Sequence, residues 1–243
     1  MEQFEFIKKA CVENLINEVK IDKNKIIATD KTKVLALRTI SKKEVFKDVF
    51  GLRDLKTFLK LANSFEIFSE SEKRLILKNS LQTLEWLKAD ESIIETKDIE
   101  ESRLINLETQ LKEKGVKIKV DADLKYAINQ ALELKFSDVV EISNKEDGIY
   151  LTVGTKESEH SFKVKLSGDK TKVKLSLVRT ILNSVIKNLG DTFNIYLKSD
   201  MPLLIEEESN LAKTQYFIAP VVESEIEVVK QEEEPSENNE GEE

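Results

Sequence analysis

The order of sequence signals in this 243-residue chain runs through once and then begins again. Phe4 to Leu15 reads as a helix, with Phe4, Ile7, Cys11 and Leu15 at helical spacing. Ile21 to Ile40 reads as two strands, Lys25–Ala28 and Lys33–Leu37, around a turn at Asp30-Lys31-Thr32. Gly51 to Phe65 reads as a second helix, with Leu52, Leu55, Phe58, Leu59 and Ala62 inward. Strand-like runs follow at 65–68, 74–77 and 81–87. Asp121 to Phe136 then predicts a third helix, with Leu124, Ile128, Ala131 and Leu132 on one face. A hairpin is expected from Val139–Ser143 and Gly148–Val153, then strands at 162–166 and 172–175. Leu177 to Leu189 predicts a fourth helix ended by Gly190 in a C′ position. Short strands follow at 193–197, 203–207 and 216–218.

The register of the repeat is testable in the letters. Ile7–Leu15 lies against Leu124–Leu132 at an offset of 117, and Lys56–Leu59 lies against Arg179–Leu182 at an offset of 123. Two matches at similar offsets imply two halves of one architecture. Between them Asp98 to Gly115 carries Ile99, Leu104, Leu107 and Leu111 near helical spacing, with Asp98 and Glu101 resembling a capping box. Locally this reads as a helix, and in context as a connector.

Charge is informative only once partitioned. The whole chain is −8, but 223–243 alone holds ten Glu and one Lys. Residues 1–222 then carry 37 basic and 36 acidic side chains. The segment 223–243 lacks periodicity and is expected to be disordered. Of the basic residues, 33 are Lys and five are Arg, which suits sequence-blind phosphate contacts better than base reading. The apolar runs are too short to span a membrane, the first residues are no secretory signal, and one Cys permits no intrachain disulfide. A reducing, intracellular setting is therefore expected.

The expected helices keep acids off their outward faces. Arg53, Lys56 and Lys60 fall on one stripe of the second helix, opposite Leu55, Phe58 and Leu59. Ser176, Arg179, Thr180, Asn183 and Lys187 form the polar face of the fourth. The third exposes Lys125, Asn129 and Gln130 beside Glu133, and the first exposes Lys8 and Lys9 beside Glu5. Such faces attract phosphates through counterion release. No aromatic residues interleave with them, so single-strand stacking is not favoured. Each face alone also fits a plainly solvated helix.

Catalytic constellations are missing. Seven glycines form no phosphate loop, His160 and Ser161 point to opposite sides of a strand, and no nucleophile elbow exists. The runs Glu206-Glu207-Glu208 and Asp90-Glu91 diverge along the backbone, so no metal site is expected, and no cofactor. His160 reads as a surface residue and Cys11 as core.

Ser199-Asp200-Met201-Pro202-Leu203-Leu204-Ile205-Glu206 with Tyr216-Phe217-Ile218-Ala219-Pro220-Val221-Val222-Glu223 resembles the final hairpin of the sliding-clamp family: proliferating cell nuclear antigen, archaeal clamps and tailed-phage polymerase clamps. Phe50–Ala62 is similar to that family's second helix, and Asp121–Lys125 to the start of its second domain. The resemblance implies an α+β, duplicated clamp fold: two similar domains, each with two helices on antiparallel sheets, joining into a ring, usually trimeric. It divides the chain into clamp domain 1 (1–105), a connector (106–118), clamp domain 2 (119–222) and an acidic tail (223–243). It implies a bore lined by Lys8, Lys9, Arg53, Lys56, Lys60, Lys125, Arg179 and Lys187, meeting duplex DNA without reading bases. It also implies a partner-peptide pocket at Pro202, Leu203, Ala219, Pro220 and Val221. Thr29 departs from the apolar residue of the eukaryotic protein, and the helix-like connector departs from its extended linker. The expected function is that of a polymerase sliding clamp, with no chemistry of its own, whose partners are double-stranded DNA, a DNA polymerase, a clamp loader and further copies of itself. Alternatives are a specialised hetero-ring subunit in repair or transcription, a scaffold without a DNA role and, more distantly, a hydrolase.

Overall fold

A computed structural model describes residues 2–12, 15–65, 67–94, 100–154 and 160–221. Among these residues five α-helices and fifteen strands follow in order. The first half holds α1 (Glu2–Lys8), β1 (Glu18–Asp22), β2 (Lys25–Thr29), β3 (Leu35–Ser41), β4 (Val49–Arg53), α2 (Leu55–Ala62), β5 (Ile67–Glu70), β6 (Arg74–Lys78) and β7 (Thr83–Leu87). A single 3-10 turn (Glu91–Ile93) and α3 (Glu101–Lys114) come next. The second half holds β8 (Val116–Val120), α4 (Ala122–Glu133), β9 (Val139–Lys145), β10 (Gly148–Val153), β11 (Phe162–Ser167), β12 (Lys174–Val178), α5 (Arg179–Asn188), β13 (Phe193–Leu197), β14 (Leu203–Glu208) and β15 (Ala212–Ile218). The duplication is plain: strand, helix and three strands occur twice in the second half and twice in the first, where only the first unit lacks its opening strand among the described residues.

The sheets follow the same rule. β11-β10-β9-β12 is one sheet, and β4-β1-β2-β3 is its counterpart in the first half. β5-β6-β7 is the counterpart of β13-β14-β15. β3 pairs antiparallel with β15, Arg38 opposite Gln215, which welds the two halves into one eight-stranded sheet, β4-β1-β2-β3-β15-β14-β13-β8. Alternation places Val19, Ile21, Ile26, Ala28, Leu35 and Leu37 of the first half, and Val140, Ile142, Leu175 and Leu177 of the second, inward in one large core. Helices α1, α2, α4 and α5 close that core with Phe6, Ile7, Leu55, Phe58, Ile128, Leu132, Leu182 and Val185. α3 lies elsewhere. Its Leu104 and Leu111 are buried with Tyr196, Leu204 and Phe217 in a second cluster, on the opposite face of the eight-stranded sheet.

Several expected boundaries moved, each for a physical reason. The first helix stops at Lys8 rather than Leu15, because the Lys9 carbonyl accepts from Tyr216 Oη (3.3 Å) and the chain turns to bury Ala10 and Val12. Residues 49–53, expected in part as helix, form strand β4, which pairs with β1 along its length. Gly51 is needed there: a Cβ would lie 2.5 Å from Ile94, which packs across the strand. Asp54 then adopts φ 51°, a left-handed conformation that Asp tolerates, to turn the chain into α2. β1 itself was not anticipated, although Glu18–Asp22 alternates cleanly. Leu177 and Val178 extend β12 rather than start a helix, because they pair with Val140 and Val139. Gly190 does not take the left-handed C′ role. Its N–H donates to Glu207 Oε1 (2.6 Å), and a Cβ would sit 2.7 Å from that oxygen. α3 confirms the local helical reading of the connector and runs across the expected boundary at 105. The capping residue expected at Asp98, and the segment 223–243, lie outside the described residues.

Candidate nucleic-acid interface and partner face

The eight cations expected on one surface divide into three groups. Lys56 and Lys60 are exposed on α2, with Lys8 exposed at the end of α1, which packs beside α2. No acid interrupts α2, and its Thr57 is exposed too. This is a compact cationic helix face turned to solvent.

Arg53 and Lys187 are exposed but accompanied. Arg53 closes β4 rather than opening the helix, so the expected Arg53–Lys56–Lys60 stripe is broken, and its Nε lies 3.4 Å from Glu18. Lys187 stands 3.6 Å from Glu133 of α4.

Lys9, Lys125 and Arg179 are occupied within the fold. Lys9 Nζ donates to Glu207 Oε2 (2.7 Å), joining the end of α1 to β14. Lys125 Nζ donates to the Leu189 carbonyl (2.6 Å), where its charge answers the negative end of α5. Arg179 is buried, at 7% exposure. Its Nε donates to Ser137 O (2.7 Å), Nη1 to Leu132 O (3.0 Å) and Nη2 to Asp138 Oδ1 (3.3 Å). It therefore holds the α4 end and the 137–138 turn to the start of α5, and presents no charge to a phosphate. The solvent-facing side of α4 and α5 is polar and nearly neutral: Tyr126, Gln130, Thr180 and Lys187, with Asp123 and Glu133.

The other expected site lies at the start of β14 and the end of β15. Pro202, Ala219, Pro220 and Val221 are half-buried there. Ala219 N–H donates to Val34 O and Val221 N–H to Ser176 O, both at 2.8 Å. Leu203 does not belong with them. It pairs with Ile218 and is fully buried in the main core, so alternation hands the outer position to Leu204 and Phe217. α3 lies over those two, with Leu107, Ala36 and Met201 at the margin. The spacing of Leu104, Leu107 and Leu111 was the available signal for this cover.

Beside the cluster runs a polar network that pins α3. Arg38, at 3% exposure, donates Nε to Gln215 Oε1 (3.0 Å) and pairs with Glu108 of α3. Gln215 Nε2 donates to Glu206 Oε2 (2.7 Å). Lys112 reaches Glu206 (2.6 Å) and Glu108 (2.9 Å), and Lys213 reaches Glu108 (2.5 Å) and Glu206 (3.0 Å). Burial alone would raise the Glu108 carboxyl. The hydrogen bonds from Lys213, Lys112 and Gln215 outweigh it and hold the group at about 2. Glu206 is lowered by the same contest, and Lys112 is raised against its own burial by Glu206 and Glu108.

No family model matches the chain, and no curated protein does. Solved structures do. One, described as the C-terminal region of FEN-1 bound to A. fulgidus PCNA, superposes at a TM-score of 0.65 over 92% of this chain and 97% of that one, at 16% identity. PCNA from Thermococcus kodakaraensis gives 0.62 over 90% and 96%, also at 16% identity.

The chain has the sliding-clamp fold.

In this clamp fold the four core helices share one side and the extra helix α3 the other, so the cationic residues of α1 and α2 are separated from Leu204 and Phe217 by the thickness of the sheet. Among the described residues no group of His, Cys, Asp and Glu is arranged to hold a metal ion, and no helix is long and apolar enough to cross a membrane.

Proposed function

We propose that this chain is a DNA sliding clamp: a processivity factor whose copies close into a ring around duplex DNA and tether a polymerase to it. The observation that carries the proposal is the joint between the halves. β15 of the second half adds to β3 of the first. The counterpart of β15 in the first half is β7, and the counterpart of β3 in the second is β11. Both are edges of their sheets. Each edge carries exposed apolar side chains, Leu81 and Leu87 beside β7 and Phe162 on β11. Charged side chains stand there too: Glu85, paired with Arg74 (3.1 Å), on one edge, and Lys163 with Lys165, the latter paired with Asp147 (2.6 Å), on the other. An open edge is a template for another strand. Repeating the internal joint between copies uses up both edges and turns the core helices toward a common centre, and a homotrimer is the assembly we favour. The same repeat moves the expected domain boundaries from 105 and 119: the first domain ends ahead of α3 (Glu101–Lys114), which joins the two, and the second begins at β8 (Val116–Val120).

The exposed side chains of α1 and α2 would then meet phosphates, which carry no sequence, as gliding along a duplex requires. Retention comes from closure, so contacts stay individually weak. Ring opening is assigned to a separate loader, and partner proteins to the surface around Pro202, Ala219 and Pro220. One solved structure of this fold is described as the C-terminal region of FEN-1 bound to A. fulgidus PCNA, which supports partner binding by a chain of this fold.

The deciding experiment is electron microscopy with native mass measurement of the purified chain, together with retention on circular against linearised duplex. Rings with a central hole, and DNA lost on linearisation, are expected. A lone chain that stays monomeric would point to a hetero-ring subunit, and equal retention on both DNAs would remove the clamp function.

A further inference from the structure

The joint inside the chain has a register that transfers, residue by residue, to the two open edges. β1 and β2 turn at Lys23 and Asn24, and β9 and β10 turn at Glu146 and Asp147, the same turn at an offset of 123. Arg38 of β3 lies opposite Ile27, and Lys165 of β11 lies opposite Tyr150, which is the counterpart of Ile27. Lys165 therefore stands where Arg38 does, with Val164 for Leu37, Lys163 for Ala36 and Phe162 for Leu35. The other hairpins agree as closely. Asn79 N–H donates to Gln82 O (3.0 Å) between β6 and β7, and Ser209 N–H donates to Ala212 O (2.9 Å) between β14 and β15. Glu85 therefore stands where Gln215 does, with Trp86 for Tyr216, Leu87 for Phe217 and Leu81 for Leu211.

We propose that β7 of one copy pairs antiparallel with β11 of the next in the register of the inner joint, with Glu85 opposite Lys165, Trp86 opposite Val164 and Leu87 opposite Lys163. In the inner joint the same places hold Gln215 opposite Arg38, Tyr216 opposite Leu37 and Phe217 opposite Ala36. This rests on the ring reading above and gives each residue of the contact its partner. Exposure at the two edges fits it. Leu35, Leu37 and Tyr216 are wholly buried, whereas Phe162 in the place of Leu35 is 38% exposed and Trp86 in the place of Tyr216 is only partly covered, by Phe58 (5.4 Å, edge to face). A strand laid along each edge covers what is open there. Leu81, 90% exposed, is displayed on an ordered turn, in which Asn79 Oδ1 accepts from the N–H groups of Leu81 (2.9 Å) and Gln82 (2.7 Å). Its counterpart Leu211 packs against the core, and the Leu211 carbonyl accepts from Lys42 N–H (3.3 Å). The counterpart of Lys42 is Asp169, beside Gly168, where an added Cβ would meet nothing within 4 Å. Leu81 of the neighbouring copy fits that space.

The charges fit the same register. Arg74 reaches Glu85 (3.1 Å) within one edge, and Lys165 reaches Asp147 (2.6 Å) within the other. Bringing Glu85 opposite Lys165 sets Arg74, Glu85, Lys165 and Asp147 in alternating sign across the joint, and neither existing pair has to break. Exposed ion pairs contribute little by themselves, so the backbone ladder and the covering of Trp86, Phe162 and Leu81 hold the contact, while the charges choose the register.

Zero-length carbodiimide coupling of a mixture of isotopically light and heavy full-length chains, read by peptide mapping beside native mass measurement, tests this. Glu85 of one label is expected to couple to Lys165 of the other at least fivefold more than to Lys163, and Glu85→Gln to abolish that coupling. Trp86 is the single tryptophan, so its emission is expected to shift to longer wavelength when the assembly is diluted to monomers. Leu81→Ser is expected to raise the dissociation constant of the assembly at least tenfold. Rings in which Glu85 couples preferentially to Lys163 or elsewhere, a Trp86 emission that does not change on dissociation, or an assembly indifferent to Leu81→Ser would each overturn the register and leave the ring standing. A chain that is monomeric at every concentration would remove the ring reading itself, and the register with it.

Discussion

The guanidinium of Arg179 meets two carbonyls and a carboxylate, while the ammonium groups of Lys56 and Lys60 meet water, and the consequences of changing them separate accordingly. Reversing Lys56 and Lys60 to Glu should leave a denaturant melt nearly unchanged. It should weaken duplex binding and reduce the salt slope by about two, near 0.9 for each lost phosphate contact. Arg179→Ala should leave the slope of the folded fraction unchanged and cost about 2–4 kcal/mol in the same melt, because the Leu132 and Ser137 carbonyls lose their donor and the arginine's buried packing is lost. An Arg179 variant with full stability and a lowered slope would reverse these assignments. Gly51 answers to a steric rule. Gly51→Ala places a methyl 2.5 Å from Ile94 and is expected to cost about 1–3 kcal/mol in thermal or denaturant unfolding.

At the scale of an element, α3 is held by a small apolar cluster and by charge. Leu111→Ala removes a fully buried side chain from that cluster and should cost about 2–4 kcal/mol. The charges make the docking pH-dependent. Glu108 and Glu206 titrate below their unfolded values, so their contribution is fully present above about pH 4.5 and is lost as pH falls through the folded value, about 2 for Glu108. Lys112 is raised, so its contribution is present below its unfolded value and is lost only as pH rises through the folded one. Loosening of α3 is therefore expected on the acid side. Tyr196 ring resonances, which report the cluster, should move between pH 5 and pH 2.5 and do so less in Glu108→Gln. A titration flat over that range would show that the network does not pin the helix.

For the molecule as a whole, the proposed assembly rests on the sheet edges. Leu87→Lys with Phe162→Glu places unlike charges at the apolar ends of β7 and β11, and Phe162→Lys with Lys163 and Lys165 kept makes like charges crowd one edge. If β7 adds to β11 of another copy, Leu87→Lys combined with Phe162→Lys should shift sedimentation toward the monomer by tenfold or more in dissociation constant, while Leu87→Lys with Phe162→Glu should assemble more nearly as the parent does. Equal sedimentation of both would place the contact elsewhere. Deleting the acidic segment 223–243, of net charge −9, is expected to leave sedimentation of the parent unchanged.

The duplication was legible in the letters because a core helix must present an apolar stripe and a half-buried strand must alternate, and both patterns recur. Phe58 and Leu55, or Ile128 and Leu132, announce which side of a helix is buried without any knowledge of what buries it. The same patterns predicted the helix at 101–114. They did not say that this helix lies over Tyr196, Leu204 and Phe217, because those partners are far away in sequence. Nor did they say which cations are free. Lys9, Lys125 and Arg179 have the sequence appearance of surface charges, and only the folded chain brings Glu207, the Leu189 carbonyl and the Leu132 carbonyl within hydrogen-bond reach. Burial periodicity is a local property of the chain and can be read from it, whereas the partner of a long polar side chain is set by tertiary proximity, which local sequence does not encode.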